Sequence, residues 1–401
     1  MDLNYSPQYE EFRLEVREFL AENWARPAGL DRDARAAVEK AFRNKAIQAG
    51  YLYRNVPREY GGSGQEPDVL RAQIIREEFR QARAPVELHQ NGVQLLVPTL
   101  LEHGQPWQKE AFIPKTIAGE YFWAQGYSEP GSGSDLASVR TRGEIVGDEW
   151  VINGQKIWST GAQYCQYMFA LIRTEPDKPK HEGISYLLID LRQPGISVRP
   201  LKQITGRAEF CEVFFNDART PSNWIVGQRG EGWKVSRSTL KFERSYIGGA
   251  ERSTELFARL MELCRSARID GEPALRNPAV RQRVAEISGA LAAQRYSSYR
   301  QISMAANSED AGIVNLMFKV FSTDIGQDIA KLARDLIQES FLLAPPDESN
   351  WRHAGFERWN NQFMGSLGLA IAGGTSNIQR NIIAERGLGL GREKKAGGEK
   401  A

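Results

Sequence analysis

The stretch Ile371-Ala372-Gly373-Gly374-Thr375-Ser376-Asn377-Ile378-Gln379-Arg380-Asn381-Ile382-Ile383-Ala384-Glu385-Arg386-Gly387-Leu388-Gly389-Leu390 sets two glycines ahead of a polar triplet and an apolar, helix-compatible segment. Glycine tolerates φ > 0 and a Thr hydroxyl caps a helix start well. The spacing therefore predicts a tight turn at Gly373 and Gly374, an N-cap at Thr375 and a helix carrying Ile378, Gln379 and Arg380. The unpaired N–H groups at such a start suit a phosphate or a carbonyl edge.

Outward from this stretch, helical spacing of apolar residues fills the last part of the chain, at 233–266, 278–307, 311–339 and 365–386. Residues 121–228 have a different texture, with short β-branched or alternating runs at 167–172, 184–189 and 211–215. Between these runs, Asn153-Gly154, Gln193-Pro194-Gly195 and Asn216-Asp217 read as turns. No helix of convincing length separates the strands, which disfavours a parallel βαβ sheet. Toward the N-terminus the helical period returns, in Phe12, Val16, Phe19 and Leu20 and in Val38, Phe42 and Ala46, with breaks at Pro27-Ala28-Gly29 and Gly61-Gly62-Ser63-Gly64. The order is that of an α+β chain with an N-terminal helical domain (1–120), a middle β-domain (121–228) and a C-terminal helical domain (229–401) ending in a charged tail.

With 401 residues, 41% of them hydrophobic, the chain can bury substantial cores. A net charge of +2 excludes the strong global field of a nucleic-acid binder, so anionic ligands must be held by local groups. No run approaches the ~18 apolar residues of a membrane span, and the N-terminus lacks the features of a signal peptide, so the default expectation is a cytoplasmic protein. Cys165, Cys211 and Cys264, like the four histidines, are scattered without the spacing of a disulfide framework or a metal site. No metal is expected.

Two further motifs carry chemistry. Tyr127-Ser128-Glu129-Pro130-Gly131-Ser132-Gly133-Ser134-Asp135-Leu136 is a Ser/Gly loop able to bring backbone N–H groups and hydroxyls close to a polar ring edge or a phosphate. It lacks the third glycine and the following helix of a dinucleotide fingerprint. Asn153-Gly154-Gln155-Lys156-Ile157-Trp158-Ser159-Thr160-Gly161-Ala162 places a Trp and two hydroxyls at a strand end.

These three motifs, in this order, resemble those of the acyl-CoA dehydrogenases: Thr-Glu-Pro-x-x-Gly-Ser-Asp, Gly-x-Lys-x-Trp-Ile-Thr-Asn-Gly, and Tyr-Glu-Gly-Thr followed by Ile-Gln-Arg. The resemblance covers nearly the whole chain and implies an α–β–α fold, with a middle β-barrel or sandwich and a C-terminal four-helix bundle. It implies FAD as cofactor, held by Gln125, Tyr127, Ser128, Gly133, Ser134, Trp158, Ser159, Thr160, Gly374, Thr375, Ser376 and Asn377. Trp158 and Thr160 match the family residues that lie against the isoalloxazine. Ser134 matches a serine that also contacts substrate, an acyl-CoA, and the family's electron acceptor is an electron-transferring flavoprotein.

In the family wording the Glu of Tyr-Glu-Gly-Thr is the catalytic base, and here Gly373 stands in its place. Dehydrogenation needs a carboxylate within hydrogen-bond reach of the α proton. Glu243 is the strongest remaining candidate, because its helical neighbours Thr239, Leu240, Tyr246 and Ile247 include no cation and form an apolar face that would partly desolvate it. Glu243-Arg244 also resembles the isovaleryl, long-chain and bacterial steroid-side-chain members, in which the base comes from this helix. By the same resemblance Arg244 is a substrate-side residue, and Gly373 leaves room for a branched or ring-bearing acyl group. The family's Arg-x-x-Phe-Gly and Gln-x-x-Gly-Gly segments, which reach a neighbouring subunit's FAD, are replaced by Arg276-Asn277-Pro278-Ala279-Val280-Arg281-Gln282-Arg283 and Gln338-Glu339-Ser340-Phe341-Leu342. That departure implies either a homo-oligomer (dimer or tetramer) of altered interface or a heteromer with a related subunit. Two alternatives stay open: a flavin oxidase or monooxygenase of the same superfamily, and a non-catalytic partner subunit.

Overall fold

The computed structural model describes residues 5–247, 250–307, 309, 312–342 and 357–391. They fall into two compact units, one from Met1–Leu201 with Ala208–Phe242 and the other from Lys202–Arg207 with Glu243–Ala401.

In the first unit the helices start where capping chemistry places them. Pro7 opens α1 (Pro7–Asn23), Asp31 accepts from the Ala34 N–H ahead of α2 (Arg32–Gln48), and Asp68 accepts from Leu70 and Arg71 ahead of α3 (Val69–Gln81). Phe12, Val16 and Leu20 form one buried stripe of α1, against Phe42 and Ala46 of α2 and Ile74, Ile75 and Phe79 of α3. Val38, expected in the same stripe, is 40% exposed. After a π-helical turn at Gly92–Leu96 come α4 (Val97–His103) and α5 (Pro106–Ile117).

The strands are β1 (Trp123–Gly126), β2 (Arg142–Val146), β3 (Glu149–Thr160), β4 (Tyr167–Arg173), β5 (Ile184–Asp190), β6 (Ile196–Leu201), β7 (Phe210–Pro221) and β8 (Ile225–Val226). They form one sheet in the order β6-β7-β3-β2-β4-β5-β8, with β1 alongside β4. Pairing is antiparallel except between β1 and β4 and at one residue pair of β2 with β4, so no βαβ unit occurs. Tyr167, Phe169 and Leu171 of β4 join the core shared with the helices. Met168, Ala170 and Ile172 point the other way, into a second core with Trp150, Ile152, Val213 and Phe215 of β3 and β7. Strands buried on both faces read as continuous apolar runs, and each such side chain contributes about 1.5–3 kcal/mol on burial.

Two readings of turns are corrected. Asn153-Gly154 and Asn216-Asp217 lie inside the long strands β3 and β7, where the register shifts between Ile152 and Gly154. The Asn153 amide donates to Asp217 Oδ1 at 2.9 Å and the Asp217 N–H donates to Asn153 Oδ1 at 2.9 Å, so the same polar residues close a β-bulge instead of a turn. Gln193-Pro194-Gly195 does connect β5 to β6.

The helical segment expected over 233–266 is two helices, α6 (Gly232–Ile247) and α7 (Ala250–Ser266). In the second unit α7 is followed by α8 (Pro278–Ala306), α9 (Ile313–Ile337), α10 (Glu357–Ile371) and α11 (Ser376–Ile382). The helical pattern over 365–386 is divided into α10 and α11 at the glycine turn, where the sequence places it. Central to this unit is α9, packed against α7, α8 and α10; its Ile325, Ile329, Leu332, Ala333 and Leu336 meet Leu256, Leu260 and Leu263 of α7, Val280 and Ile287 of α8, and Trp359 of α10. No described helix is long and apolar enough to cross a membrane.

The bulge yields a paired prediction. Gly154 sits at φ +144°, and a Cβ there would lie 2.7 Å from Thr141 Cα. Gly147, at φ +65°, has open space around that position. Gly154→Ala is expected to cost about 2 kcal/mol or more in urea unfolding, and Gly147→Ala about 1 kcal/mol. Equal losses would mean that close approach to Thr141 is not what requires the glycine.

Candidate active site

The loop after β1 is stapled to itself and to β3. Glu129 and Ser132 exchange backbone hydrogen bonds, each 2.9 Å, and the Ile157 N–H donates to Ser128 O at 2.9 Å. This last bond brings the two sequence motifs of the first unit side by side. Ser132 Oγ donates to Asp135 O at 2.7 Å, and Lys180 Nζ reaches both Asp135 carboxylate oxygens. Gln125 is half-buried in β1, Tyr127 is buried and Ser128 is half-buried, while Gly131, Gly133 and Ser134 are exposed. A Cβ added at Gly131 or Gly133 would meet nothing within 4 Å. No internal packing demands these glycines.

Beneath the loop lies a buried ion pair. Lys156, fully buried on β3, donates from Nζ to Glu129 Oε1 at 2.7 Å and to Leu171 O on β4 at 2.6 Å. The other hydrogen bonds to Glu129 come from the backbone N–H groups of Arg140 (2.6 Å) and Thr141 (2.9 Å). Burial alone would raise the Glu129 pKa, but the Lys156 charge and these donors win and hold it below the ordinary 4.5. Burial pushes Lys156 down to about 8 against the pull of Glu129, so it keeps its charge at neutral pH.

Two residues beyond Lys156 the strand distorts. Its register with β7 shifts between Lys156 and Ser159, and Trp158 takes a left-handed φ of 63°. Such a conformation costs a bulky residue about 1–2 kcal/mol. Trp158 is 58% exposed and touches Phe210 edge to face, so it is not a core tryptophan. Next to it Ser159 is 1% exposed and its Oγ has no hydrogen-bond partner. Thr160 is exposed. An exposed indole held in a strained conformation, a partnerless buried hydroxyl and an open Ser/Gly loop suit a planar ring with a polar edge, the kind of group FAD presents.

The glycine turn of the second unit is built as the sequence predicts at its start. Gly373 and Gly374 have φ 62° and 91°, and Thr375 Oγ1 caps α11 by accepting from the Ile378 N–H. α11 itself is short and continues as a π-helical turn at Ile383–Gly387. Gly374, Thr375 and Ser376 are half-buried and Asn377 is exposed. Gln379 Nε2 donates to Gly373 O at 2.9 Å, and Lys319 Nζ, from α9, donates to Ala370 O at 3.0 Å and Gly374 O at 2.8 Å. Glu243 is half-buried on α6. Its i±3 and i±4 neighbours on α6 include no cation, and Lys319 of α9 interacts with it electrostatically. Of Arg244 the backbone is helical; its side chain lies outside the described residues.

Lys319 and the Glu129–Lys156 pairing were not singled out by the sequence motifs. A lysine within the apolar run Leu316-Met317-Phe318-Lys319-Val320-Phe321 was the available signal for the first. The cysteines are free thiols, all with pKa raised by burial, Cys165 to about 12, and so serve as packing. Among the described residues no cluster of His, Cys, Asp or Glu could hold a metal.

Three family descriptions match the chain: "Acyl-CoA dehydrogenase, N-terminal domain" over residues 6–120, "middle domain" over 124–218 and "C-terminal domain" over 230–388. Acyl-CoA dehydrogenase IpdE1 of Mycobacterium tuberculosis is 39% identical over 396 residues, covering 96% of this chain and 99% of the relative. Among solved structures, the ChsE4-ChsE5 complex of Mycobacterium tuberculosis is similar with a TM-score of 0.75 and 27% identity, over 98% of this chain and 100% of the other. The "Tcur3481-Tcur3483 steroid ACAD" gives 0.76 and 27% over the same shares.

The ion pair can be tested directly. Lys156→Met strands a buried carboxylate and is expected to cost about 3–5 kcal/mol; Lys156→Met combined with Glu129→Gln should recover part of that loss. Because the folded-state pKa of Glu129 lies below 4.5, the unfolded chain takes up the proton first. Its contribution is complete at neutral pH and is lost as pH falls through and below 4.5. A urea midpoint unchanged in the single mutant would rule out the pair as a structural necessity.

Proposed function

Because the chain belongs to the acyl-CoA dehydrogenase family, we propose that it oxidises an acyl-CoA thioester to the trans-2-enoyl thioester with Glu243 as base. One observation carries the choice of base. The turn at Gly373 offers only backbone, its carbonyl engaged by Gln379, while Glu243 supplies a half-buried carboxylate to the same unit. Glu243 takes the α proton as hydride leaves the β carbon, so the substrate loses two electrons and two hydrogens in all.

FAD, when bound, supplies the hydride acceptor. Trp158 and Thr160 are read as flanking its ring, Ser159 as offering the partnerless hydroxyl, and Gln125, Tyr127, Ser128, Gly133 and Ser134 as the loop side of the site. By motif correspondence Gly374, Thr375, Ser376 and Asn377 belong to the same cofactor's contacts. Ser134 and Arg244 are assigned to substrate, and Gly373 to the space beside its acyl chain. The acyl group is proposed to be branched or ring-bearing, a reading supported by the similar structure described as a steroid enzyme. Electrons pass to an electron-transferring flavoprotein. The altered Arg276 and Gln338 segments favour a heteromer with a related subunit, the kind of assembly named for ChsE4 and ChsE5.

Anaerobic titration with a panel of acyl-CoAs, followed at the flavin absorbance, tests the reading. Glu243→Gln is expected to slow flavin reduction by ~10²-fold or more while ligand binding stays near wild type. A mutant as fast as wild type would remove Glu243 from the mechanism. Failure of any acyl-CoA to bleach the flavin, with oxygen consumed on turnover in air, would overturn the dehydrogenase assignment itself.

A further inference from the structure

A buried lysine that no motif assigns stands at the glycine turn. Lys319 is 2% exposed, in the middle of an otherwise apolar segment of α9. Burying an ammonium is costly unless its charge and donors are engaged. Two of its three donors go to Ala370 O, in the last turn of α10, and to Gly374 O, in the left-handed glycine pair that follows. We infer that Lys319 is a positioning residue for dehydrogenation, one ammonium that clamps the 370–374 turn and adds a positive charge within electrostatic reach of the Glu243 carboxylate.

Two carboxylates act electrostatically on that ammonium, Asp324 from its own helix and Glu243 from α6. Asp324 is itself faced by Arg380 of α11, whose guanidinium lies 3.7 Å away, and by Asp328 and Lys331 of α9. Desolvation lowers the Lys319 pKa, and both carboxylates work against that change. Coulomb attraction is mutual, so a cation that Glu243 attracts also attracts the Glu243 carboxylate in its ionised form, the form able to take a proton. The clamp acts on geometry. The backbone between Ala370 and Thr375, next to the residues read as cofactor contacts, has no side chain at 373 or 374 to pack, and its carbonyls are fixed instead by Lys319 and Gln379.

This inference rests on the reading of Glu243 as base, and the experiment separates the two. FAD-loaded wild type, Glu243→Gln, Lys319→Met and Lys319→Arg are compared by kcat, KM and the pH dependence of kcat/KM. Lys319→Met is expected to lower kcat about 10- to 100-fold with little change in KM. It should also move the acid limb of the profile upward. Lys319→Arg keeps the charge but not the compact three-donor geometry, so its limb should stay at the wild-type position while kcat falls. A purely structural lysine would lower activity equally at every pH and leave the limb unmoved in both variants, which overturns the inference. Should Lys319→Met fail to fold, the Arg variant decides: an unaltered kcat or a shifted limb counts against Lys319. An active Glu243→Gln would instead refute the base, whatever the lysine variants do.

Discussion

The buried pairing of Glu129 with Lys156 is the interaction on which the first unit's site is built. A loop of serines and glycines has little side chain to pack, and Gly131 and Gly133 touch nothing with the positions where a Cβ would be. Its shape therefore has to come from polar contacts. Glu129 gathers two backbone N–H groups and the Lys156 ammonium, and Lys156 reaches across to the Leu171 carbonyl. One charge pair thus ties the loop to β3 and β4 together. A buried ion pair adds little net stability compared with apolar packing, but neither partner can be removed alone, and its geometry is directional. What it contributes is a fixed location for a loop that would otherwise wander.

That location matters because of what β3 does just beyond it. The strand is long and carries two irregularities, one at Asn153 against Asp217 and one between Lys156 and Ser159. A bulge bends a strand and re-aims a side chain. The first is closed by the Asn153 amide donating to the Asp217 carboxylate and the Asp217 backbone N–H donating to Asn153 Oδ1; the second turns Trp158 outward in a left-handed conformation and leaves Ser159 buried without a partner. Strain of this size persists only where the surroundings over-determine it, and the Lys156 anchor immediately before it is a sufficient cause.

Much of this was legible from residue order. The Thr375 cap fell where the turn chemistry put it, and the strand runs at 167–172 and 184–189 lie within β4 and β5. The misreadings share a cause. Asn-Gly and Asn-Asp favour positive φ equally in a hairpin turn and in a bulge, and only the partner strand decides between them; Asn153 and Asp217 are 64 residues apart. Lys319 stood out as a charge in an apolar run, but its role was hidden for the same reason of distance, its carbonyl partners lying 51 and 55 residues away.

The missing acid at Gly373 then has a local physical account. A Glu at φ 62° would sit in the left-handed region at a cost of about 1–2 kcal/mol, and the turn it would join is already satisfied through its backbone by Gln379 and Lys319. A carboxylate on α6 carries no such penalty, since its backbone is helical. The proposed base Glu243 also stands on a helix, an element stiffer than a turn. The glycine is then less an omission than a condition of the arrangement. It permits a turn whose carbonyls, not its side chains, meet the lysine, and it leaves the space beside the proposed acyl chain open.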